Sequence, residues 1–389
     1  MSESSIFRNR SKLSPRYIPE HLPHREKQIE QIEFMFRDYY LNPADFPLAI
    51  LQIIGPAGIG KTSTVLKVSK ILEEKSQHKR FNLKTAYVNL KLQGGNKYGI
   101  YRFLLDRLAP ELPAQGLSAE EMLRYLLRYL NENKTYALII LDEIDYLIKT
   151  TKDTGIVYDL TRLNEFDHDK PCNVKGMIFI ARSTEFYTRL DEAEISTLGR
   201  VPMYFPSYSI QQVTDILNSR CSEAFNPQAI GSDIIDEVAK ITTSPYINGD
   251  IRFSLDLLLY AGNLAESYGT GRVTRDQIRK VYSQTHSTVT IENIRDLSRN
   301  QLLTLLALIR ALRSKKRQYV DLKDIRIRSS ELAEEFKLKK FDIENCLDIL
   351  RMRRIIDIRS FSEIGIHAVS LEDLEPMVQR VIKHDDKYG

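Results

Sequence analysis

The sequence is short of cysteine, of long apolar runs and of charge of one sign. Its three cysteines, Cys172, Cys221 and Cys346, lie far apart and form no metal-binding spacing. An odd number of isolated cysteines argues against a disulfide framework and is typical of an intracellular chain. The N-terminus lacks the apolar stretch of a signal peptide, and no apolar run reaches the roughly 18 residues that cross a bilayer. We therefore expect a soluble cytoplasmic protein, associated with the nucleoid if it binds DNA.

The charge balance is nearly even. The formal net charge is +4 at pH 7, with 28% charged and 42% apolar residues. This composition is ordinary for a globular protein with sizeable cores, and a chain of 389 residues predicts two or three domains. So small a net charge does not identify a nucleic-acid partner, and any basic surface has to come from local clustering.

Hydrophobic patterning divides the chain into a polar tail and three folded regions. Residues 1–12 are expected to be disordered, because they are polar and short of large apolar groups. Residues 13–204 predict an α/β domain, residues 205–285 contain only helical patterns, and residues 298–389 predict three helices followed by a β-ribbon.

The α/β prediction depends on short apolar runs that alternate with amphipathic stretches. Four such runs occur, at residues 48–54, 85–90, 136–142 and 176–181. Apolar runs without in-and-out alternation predict strands buried on both faces of a parallel sheet, with helices as the crossovers. One crossover helix is expected to begin with a capping box from Ser118 to Glu121.

A phosphate-binding motif follows the first apolar run. The sequence GPAGIGKT at residues 55–62 matches GxxxxGK[ST], and it lies between a predicted strand and a predicted helix. The glycines let backbone N–H groups turn inward around phosphate oxygens at the positive end of the helix. Lys61 is expected to reach the β- and γ-phosphates, and the Thr62 hydroxyl to ligate Mg²⁺. A glycine-rich turn with a fortuitous lysine is the alternative, which the flanking elements disfavour.

The third apolar run ends in two acids, Asp142 and Glu143. We predict that this strand lies beside the P-loop strand, so that Asp142 holds Mg²⁺ and Glu143 acts as the catalytic base toward water. The alternative is that the acid pair only caps the next helix, a role that Asp145 could also fill.

Together with these motifs, three further segments resemble a known family. They are YIPEHLPHRE (17–26), FPSYSIQQVTDILNSR (205–220) and NGDIRFSLDLLLYAG (248–262). The chain resembles the archaeal origin-recognition and cell-division-control (Orc/Cdc) initiator family of AAA+ ATPases over about residues 13 to 385. The resemblance implies an α/β fold with an AAA+ P-loop base domain, an all-helical lid domain and a C-terminal winged-helix DNA-binding domain. It implies ATP or ADP and Mg²⁺ as cofactors. The implied partners are double-stranded DNA, other initiator paralogues and the replicative helicase.

The resemblance extends the phosphate motif to a full nucleotide site, with adenine against residues 17–25 and an arginine, Arg252, that reaches the γ-phosphate from the lid. Without the resemblance, Arg252 would be interpreted as a surface helix charge. The expected ATP-binding residues come from the P-loop, the N-terminal signature and the lid: Gly55, Gly58, Ile59, Gly60, Lys61, Thr62, Ser63, Tyr17, Leu22, Pro23, Arg25, Tyr208, Arg220 and Arg252.

Two positions depart from the family pattern. Arg182 stands where the family usually has the asparagine of its first sensor, and Ala193 stands at the position of its arginine finger. Arg189 and Arg200 lie nearby but out of register. An arginine finger contributes on the order of 10³–10⁵ in rate. We therefore expect nucleotide binding with weak hydrolysis.

Basic residues are concentrated in the C-terminal region: Arg313, Lys315, Lys316, Arg317, Arg326, Arg328, Lys337, Lys339, Lys340, Arg351, Arg353 and Arg354. Residues 329–338 predict the second helix of this region. A third helix from about Lys340 to Arg353 is expected to enter the major groove, with Lys339, Lys340 and Arg351 as DNA-contacting candidates. The alternative is a solvated basic surface. The predicted hairpin tip, 360–365, is neutral to acidic.

The leading hypothesis is an ATP/ADP-switched replication initiator that recognises origin duplex DNA. The alternative within the same family is an ATP-binding winged-helix transcriptional regulator, which the altered positions 182 and 193 keep open. A third class is a clamp-loader-like remodelling ATPase that works in rings. The missing finger and the predicted winged helix argue against that class.

Overall fold

The computed structural model forms two compact units, Met1–Val273 and Thr274–Gly389. The residues that the structure describes are 6–41, 47–78, 81–93, 95–151, 155–166, 172–199, 201–244, 247–285, 294–315, 319–336, 342–353, 355–360, 363–366 and 371–385. In this part of the chain no helix is long and apolar enough to cross a membrane.

The first unit begins as an α/β domain and ends in helices. Its helices and strands, in chain order, are α1 (Glu26–Leu41), β1 (Ala49–Ile54), α2 (Lys61–His78), β2 (Asn82–Asn89), α3 (Lys97–Leu108), α4 (Ala119–Glu132), β3 (Thr135–Asp142), α5 (Ile144–Thr150), α6 (Gly155–Thr161), β4 (Val174–Ala181), α7 (Glu192–Leu198), β5 (Met203–Tyr204), α8 (Ile210–Ala224), α9 (Ser232–Thr242) and α10 (Ile251–Ser267). Short 3₁₀ turns cover Arg10–Leu13, Leu163–Glu165 and Thr184–Arg189.

The central sheet is parallel, with strand order β2-β3-β4-β1-β5. The four apolar runs all form strands, and β4 is buried at every residue, as a strand covered on both faces requires. One prediction is wrong: β3 does not lie beside the P-loop strand β1, because β4 is inserted between them. Leu51 of β1 and Ile140 of β3 both align with Ile178 of β4.

Local signals fix where the helices begin. The predicted capping box is confirmed, since the Ser118 hydroxyl accepts from the Glu121 N–H at 3.2 Å and the Glu121 carboxylate accepts from the Ser118 N–H at 2.7 Å. Ser209 caps α8 in the same way, with Gln212 as its partner. Each box satisfies two N–H groups that a helix N-terminus leaves open.

The N-terminal segment is packed where the sequence predicted disorder. Residues 1–5 lie outside the described residues, but Ile6 is fully buried and Phe7 is 7% exposed. The Phe7 ring lies 4.9 Å from the ring of Phe225 at the end of α8, and Arg8 N–H donates to the Ala224 carbonyl at 2.9 Å. The disorder prediction is therefore wrong for residues 6–12. Two adjacent apolar side chains hold this otherwise polar segment against the helical lid.

The second unit contains α11 (Arg275–Thr285), α12 (Arg299–Lys315), β6 (Tyr319–Val320), α13 (Leu322–Glu335), α14 (Ile343–Met352), β7 (Asp357–Ser360), β8 (Glu363–Gly365) and α15 (Leu371–Asp385). The strands form an antiparallel sheet of order β6-β8-β7. Helix α12 is buried along most of its length and forms the centre of this core. A helix that is apolar on every side is expected at such a position.

The predicted order of three helices and a ribbon is present, with shifted boundaries. Helix α13 begins at Leu322 rather than at Ser329, because Ile325 and Leu332 both face the core. Helix α14 begins after Asp342, whose carboxylate accepts from the Asn345 N–H at 3.1 Å. The predicted tip at 360–365 is wrong, because residues 363–365 form β8. Lys339 and Lys340 lie outside the described residues.

Candidate nucleotide-binding site

The P-loop joins β1 to α2, and its backbone carbonyl oxygens contact its own lysine. The Lys61 ammonium donates to the carbonyl oxygens of Gly55 and Pro56, each at 2.6 Å. Burial lowers the pKa of Lys61 to about 8; Asp142 acts in the opposite direction, while the positive charges of Arg252 and Arg182 lower it further. A buried ammonium among cations is destabilised until an anion approaches, which is the electrostatic condition of a phosphate site.

The lid touches the P-loop directly at Gly58. The Ile251 N–H, in the first turn of α10, donates to the Gly58 carbonyl at 3.2 Å. Gly58 has a φ of +71°, and a Cβ there would overlap the Asp250 carboxylate and lie 2.8 Å from the Asp250 Cα atom. Asp250 itself caps α10 by accepting from the Arg252 N–H at 2.9 Å. A glycine is required here because backbone and lid approach too closely for any side chain.

Asp142 is held at the carboxyl end of β3 by three donors. The Thr62 hydroxyl donates to its Oδ2 atom at 2.6 Å, and the Tyr87 hydroxyl donates to the same oxygen at 2.8 Å. The Glu143 N–H donates to Oδ1 at 2.9 Å. Thr62, in the first turn of α2, meets Asp142 although β4 lies between β1 and β3. The carboxyl ends of parallel strands lie at one edge of the sheet, which brings the P-loop and the end of β3 together.

Glu143 is bound to an arginine that follows the neighbouring strand. The Nη2 atom of Arg182 lies 3.0 Å from both carboxylate oxygens of Glu143. Glu143 has a φ of +63°, a left-handed conformation that is uncommon outside glycine. It precedes α5 without a side-chain capping bond, so the helix-cap alternative is wrong for Glu143.

Asp145 forms a second acidic position behind this pair. It is 6% exposed, and its Oδ1 atom has no hydrogen-bond partner among the described residues. Burial raises the pKa of Asp145, while hydrogen bonds from its own backbone and that of Arg182, and the charge of Arg182, act in the opposite direction. Asp145 therefore lies close enough to Arg182 for the two groups to interact.

Arg25 of the N-terminal signature braces the P-loop. Its Nη2 and Nε atoms donate to the Ile59 carbonyl at 2.7 and 3.2 Å, and its guanidinium lies 4.0 Å from the centre of the Tyr208 ring. Burial lowers the pKa of Arg25, and Tyr208 offsets part of that effect. The family resemblance predicted that Arg25 lies beside the adenine, but its N–H groups donate to the P-loop backbone.

Arg220 fastens the N-terminal segment to the lid. It donates to the carbonyls of Tyr17 and Ser14 at 3.2 and 3.1 Å, and its guanidinium lies 4.8 Å from the centre of the Tyr17 ring. The Tyr17 hydroxyl donates to Glu223, also on α8, at 2.7 Å. The segment that precedes α1 is thereby held across α8.

One cavity brings most of the predicted residues together. Those that line it are Tyr17, Leu22, Pro23, Arg25, Gly58, Gly60, Lys61, Thr62, Ser63, Asp142, Glu143, Tyr208, Arg220 and Arg252. Gly55 and Ile59 do not line it. The Ile59 side chain is fully buried, and Gly55 packs against the Phe205 backbone, so these two residues shape the loop from behind. Arg252 is exposed and has no side-chain hydrogen bond to the described residues.

Sequence reasoning missed several residues of this cavity. Tyr87 and Asn89 line it from the end of β2, and Ile216 and Leu255 line it from the lid helices. A signal existed for the first two, since residues 85–90 predicted a strand whose end would lie at the same sheet edge. Nothing in the helical pattern distinguished Ile216 and Leu255 from ordinary core residues.

The oxygen atoms at this edge of the sheet are suitable ligands for Mg²⁺. Thr62 and Asp142 present a hydroxyl and a carboxylate, the hard oxygen ligands that this ion prefers. Among the described residues no group of three or more His, Cys, Asp or Glu forms a self-contained metal site. A magnesium ion that takes few protein ligands and is completed by phosphates and water fits this arrangement.

The fold and the cavity together define a P-loop nucleotide-binding protein of the AAA+ class with a helical lid. Family models match in the same order: an AAA domain at residues 48–190 and a Cdc6 AAA+ ATPase-type lid domain at residues 214–283.

The chain belongs to the family of ORC1-type DNA replication proteins. It is 33% identical over 317 residues to ORC1-type DNA replication protein 1 of Sulfurisphaera tokodaii, covering 82% of this chain and 76% of the relative. It is 29% identical over 370 residues to ORC1-type DNA replication protein 2 of Saccharolobus solfataricus, covering 92% and 87%.

Solved structures share the fold over nearly the whole chain. Cdc6p from Pyrobaculum aerophilum has a TM-score of 0.71 at 23% identity, covering 98% of this chain and all of that one. The Aeropyrum pernix ORC1 protein, solved in complex with DNA, has a TM-score of 0.64 at 26% identity, covering 99% and 98%.

Proposed function

We propose that this protein is an ATP/ADP-switched replication initiator that binds origin duplex DNA. The observation that carries the proposal is the single cavity in which the P-loop, the acids of β3 and Arg252 of the lid face one another. Membership of the ORC1-type family supports the replication role, and the DNA complex of the A. pernix relative supports the duplex as the partner.

The cavity has a polar end and an apolar end, which suits a nucleotide. Lys61, Thr62 and the turned-in P-loop backbone bind the phosphates, as charge-assisted donors at a helix N-terminus do. Leu22, Pro23 and Ile216 offer an apolar wall for the base. Arg252 supplies a lid charge toward the phosphates, so the lid responds to whether ATP or ADP is bound.

Hydrolysis is proposed to be slow. Asp142 and Thr62 hold Mg²⁺, which when bound neutralises phosphate charge, and Glu143 accepts the proton of the attacking water. Ala193 brings no cation to the finger position. Arg189 donates to the Lys149 carbonyl at 2.7 Å, so it is already engaged within the chain, and Arg200 lies outside the described residues.

Duplex DNA is proposed to bind the second unit, whose helices and ribbon have the order of a winged helix. In such a domain α14 enters the major groove. Arg351 is exposed near the end of α14 and has no side-chain partner among the described residues. The other two candidate contacts, Lys339 and Lys340, fall outside those residues.

Pairing within the second unit reduces the number of cations that are free for DNA. Several basic residues bind carboxylates of the same unit: Arg310 with Glu335 and Glu375, Arg313 with Glu375, Lys315 with Asp324, Arg326 with Glu344, and Arg328 with Glu331. The number of basic residues therefore overstates the number of phosphate contacts, and unpaired cations such as Arg351 carry more of the affinity.

The test compares DNA affinity across a salt series for the whole chain, for a chain that ends at residue 297, and for two point variants. Truncation should abolish binding. Arg351→Gln should weaken it and reduce the slope of log affinity against log salt by about 0.9. Arg328→Gln removes the same charge from a residue that is paired within its own helix, and should have a smaller effect. Full affinity of the truncated chain would contradict the proposal.

Further partners are proposed from the same family membership. Other initiator paralogues and the replicative helicase are the proteins that a replication initiator is expected to engage. Co-purification of tagged protein from the native host with either one, dependent on ATP, would support the assignment, and its absence under every nucleotide condition would argue for a regulator that acts alone at promoters.

A further inference from the structure

The Arg182–Glu143 pair engages the carboxylate that the proposed hydrolysis uses as its base. One guanidinium nitrogen reaches both oxygens of the carboxylate at 3.0 Å. Glu143 is largely sheltered, with 20% of its side chain exposed, whereas the Arg182 side chain is half exposed. No oxygen of Glu143 is left without a cation beside it.

Both partners are fixed by backbone, which gives the pair a defined position. Arg182 directly follows β4, the strand between the P-loop strand and β3. Asp145 interacts with the Arg182 backbone. Glu143 is held in its left-handed conformation while its N–H donates to Asp142. The contact follows from the sheet order, so it differs from an ion pair between two long side chains on an open surface.

We propose that Arg182 is a positioning residue that restrains Glu143 and thereby holds the hydrolysis rate down. This rests on the proposed function of the site. In hydrolysis the water oxygen bonds to the γ-phosphorus, the bond from that phosphorus to the bridging oxygen breaks with its electron pair left on ADP, and Glu143 takes the water proton. A carboxylate whose two oxygens both contact one guanidinium nitrogen is held by that contact and is not free to orient the attacking water.

The direction in which turnover changes when Arg182 is removed distinguishes restraint of Glu143 from simple electrostatic attraction of the nucleotide. Arg182 also lines the cavity and lowers the pKa of Lys61, so its charge favours a bound anion. If attraction for nucleotide were its only role, removing it would weaken binding and slow turnover. Restraint of Glu143 predicts the opposite direction for turnover.

The experiment measures single-turnover ATP hydrolysis and nucleotide dissociation constants for the full chain and its variants. Arg182→Ala should raise the hydrolysis rate by roughly tenfold, a fraction of the 10²–10⁴ that a general base supplies, and should weaken nucleotide binding by no more than a few-fold. Arg182→Lys keeps the charge but loses the planar guanidinium, and should give an intermediate rate. Glu185→Gln is the matched control, because it breaks an exposed ion pair with Lys149 outside the cavity.

A double-variant cycle identifies the residue through which Arg182 acts. In a Glu143→Gln background the further change Arg182→Ala should produce no acceleration, because the restrained base is already gone. Acceleration that persists in that background, or an unchanged or slower rate in Arg182→Ala alone, would overturn the proposal. If the unaltered chain bound no nucleotide, the proposed function itself would fail, and the binding measurement reports this separately.

Discussion

Nucleotide affinity should fall as pH rises through 8, because of Lys61. Burial and two neighbouring arginines lower the pKa of its ammonium to about 8. Bound phosphates favour the protonated form, so the pKa of Lys61 rises in the complex and binding takes up a proton. Affinity is therefore greatest where Lys61 is already protonated, below pH 8, and declines above it.

The size of the decline in nucleotide affinity follows from the lowered pKa of Lys61. With a pKa of about 8 in the free protein, Lys61 is protonated in nine molecules of ten at pH 7 and in one of ten at pH 9. If the complex stays protonated over this interval, affinity falls about tenfold, equivalent to about 1.4 kcal/mol. Burial raises the pKa of Tyr208, which also lines the cavity, to about 12, so this group does not titrate in the same range.

The assay is titration of ADP and ATP, with Mg²⁺ in excess, at half-unit steps from pH 7 to 9. Lys61→Arg provides the control, because a guanidinium remains charged throughout and should give weaker but flat binding. Lys61→Ala should lose at least tenfold at pH 7, since a charge-assisted contact is worth about 1.5–3 kcal/mol. An affinity of the unaltered protein that stays constant between pH 7 and 9 would refute the electrostatic account of the P-loop.

Three further predictions follow from individual contacts. Gly58→Ala should weaken nucleotide binding by at least about tenfold in calorimetry, because its methyl group meets the lid, whereas Gly116→Ala, with a similar φ and open space, should not. Phe7→Ala should lower the free energy of unfolding by about 3 kcal/mol in a urea titration. Phe34 is exposed, so Phe34→Ala should lower it by less than about 0.5 kcal/mol. Equal losses would contradict the packing of the N-terminal segment. Glu344→Gln frees the arginine that it binds and should tighten DNA binding at low salt, measured by anisotropy; weaker binding would indicate that the carboxylate contacts DNA.

The sequence predicted the strands and the phosphate motif because each depends on local pattern. Continuous apolar runs located four strands of the sheet, and the P-loop glycines located the turn. The two-residue strand β5 was missed, since Met203 and Tyr204 carry no pattern of their own. The order of strands in the sheet depends on contacts between distant segments rather than on local pattern. The position of β4 between the P-loop strand and β3 could therefore not be predicted.

Contacts between distant segments explain the remaining differences. Arg25, Tyr208 and Arg220 were expected to face the nucleotide because of where similar residues lie in the family. Their donors and rings instead brace the loop and the N-terminal segment while still lining the cavity. The Arg182–Glu143 pair joins residues on two strands and could not be inferred from either motif alone.

Mapping the occupancy of this protein across the chromosome of its host measures whether it initiates replication at origins. Immunoprecipitated DNA should be compared with marker frequency in growing cells, which is highest where replication begins. The strongest occupancy peaks should coincide with the marker-frequency maxima and weaken in an Arg351→Gln strain. Peaks confined to promoters away from those maxima would contradict initiation at origins and would identify a transcriptional regulator built on the same fold.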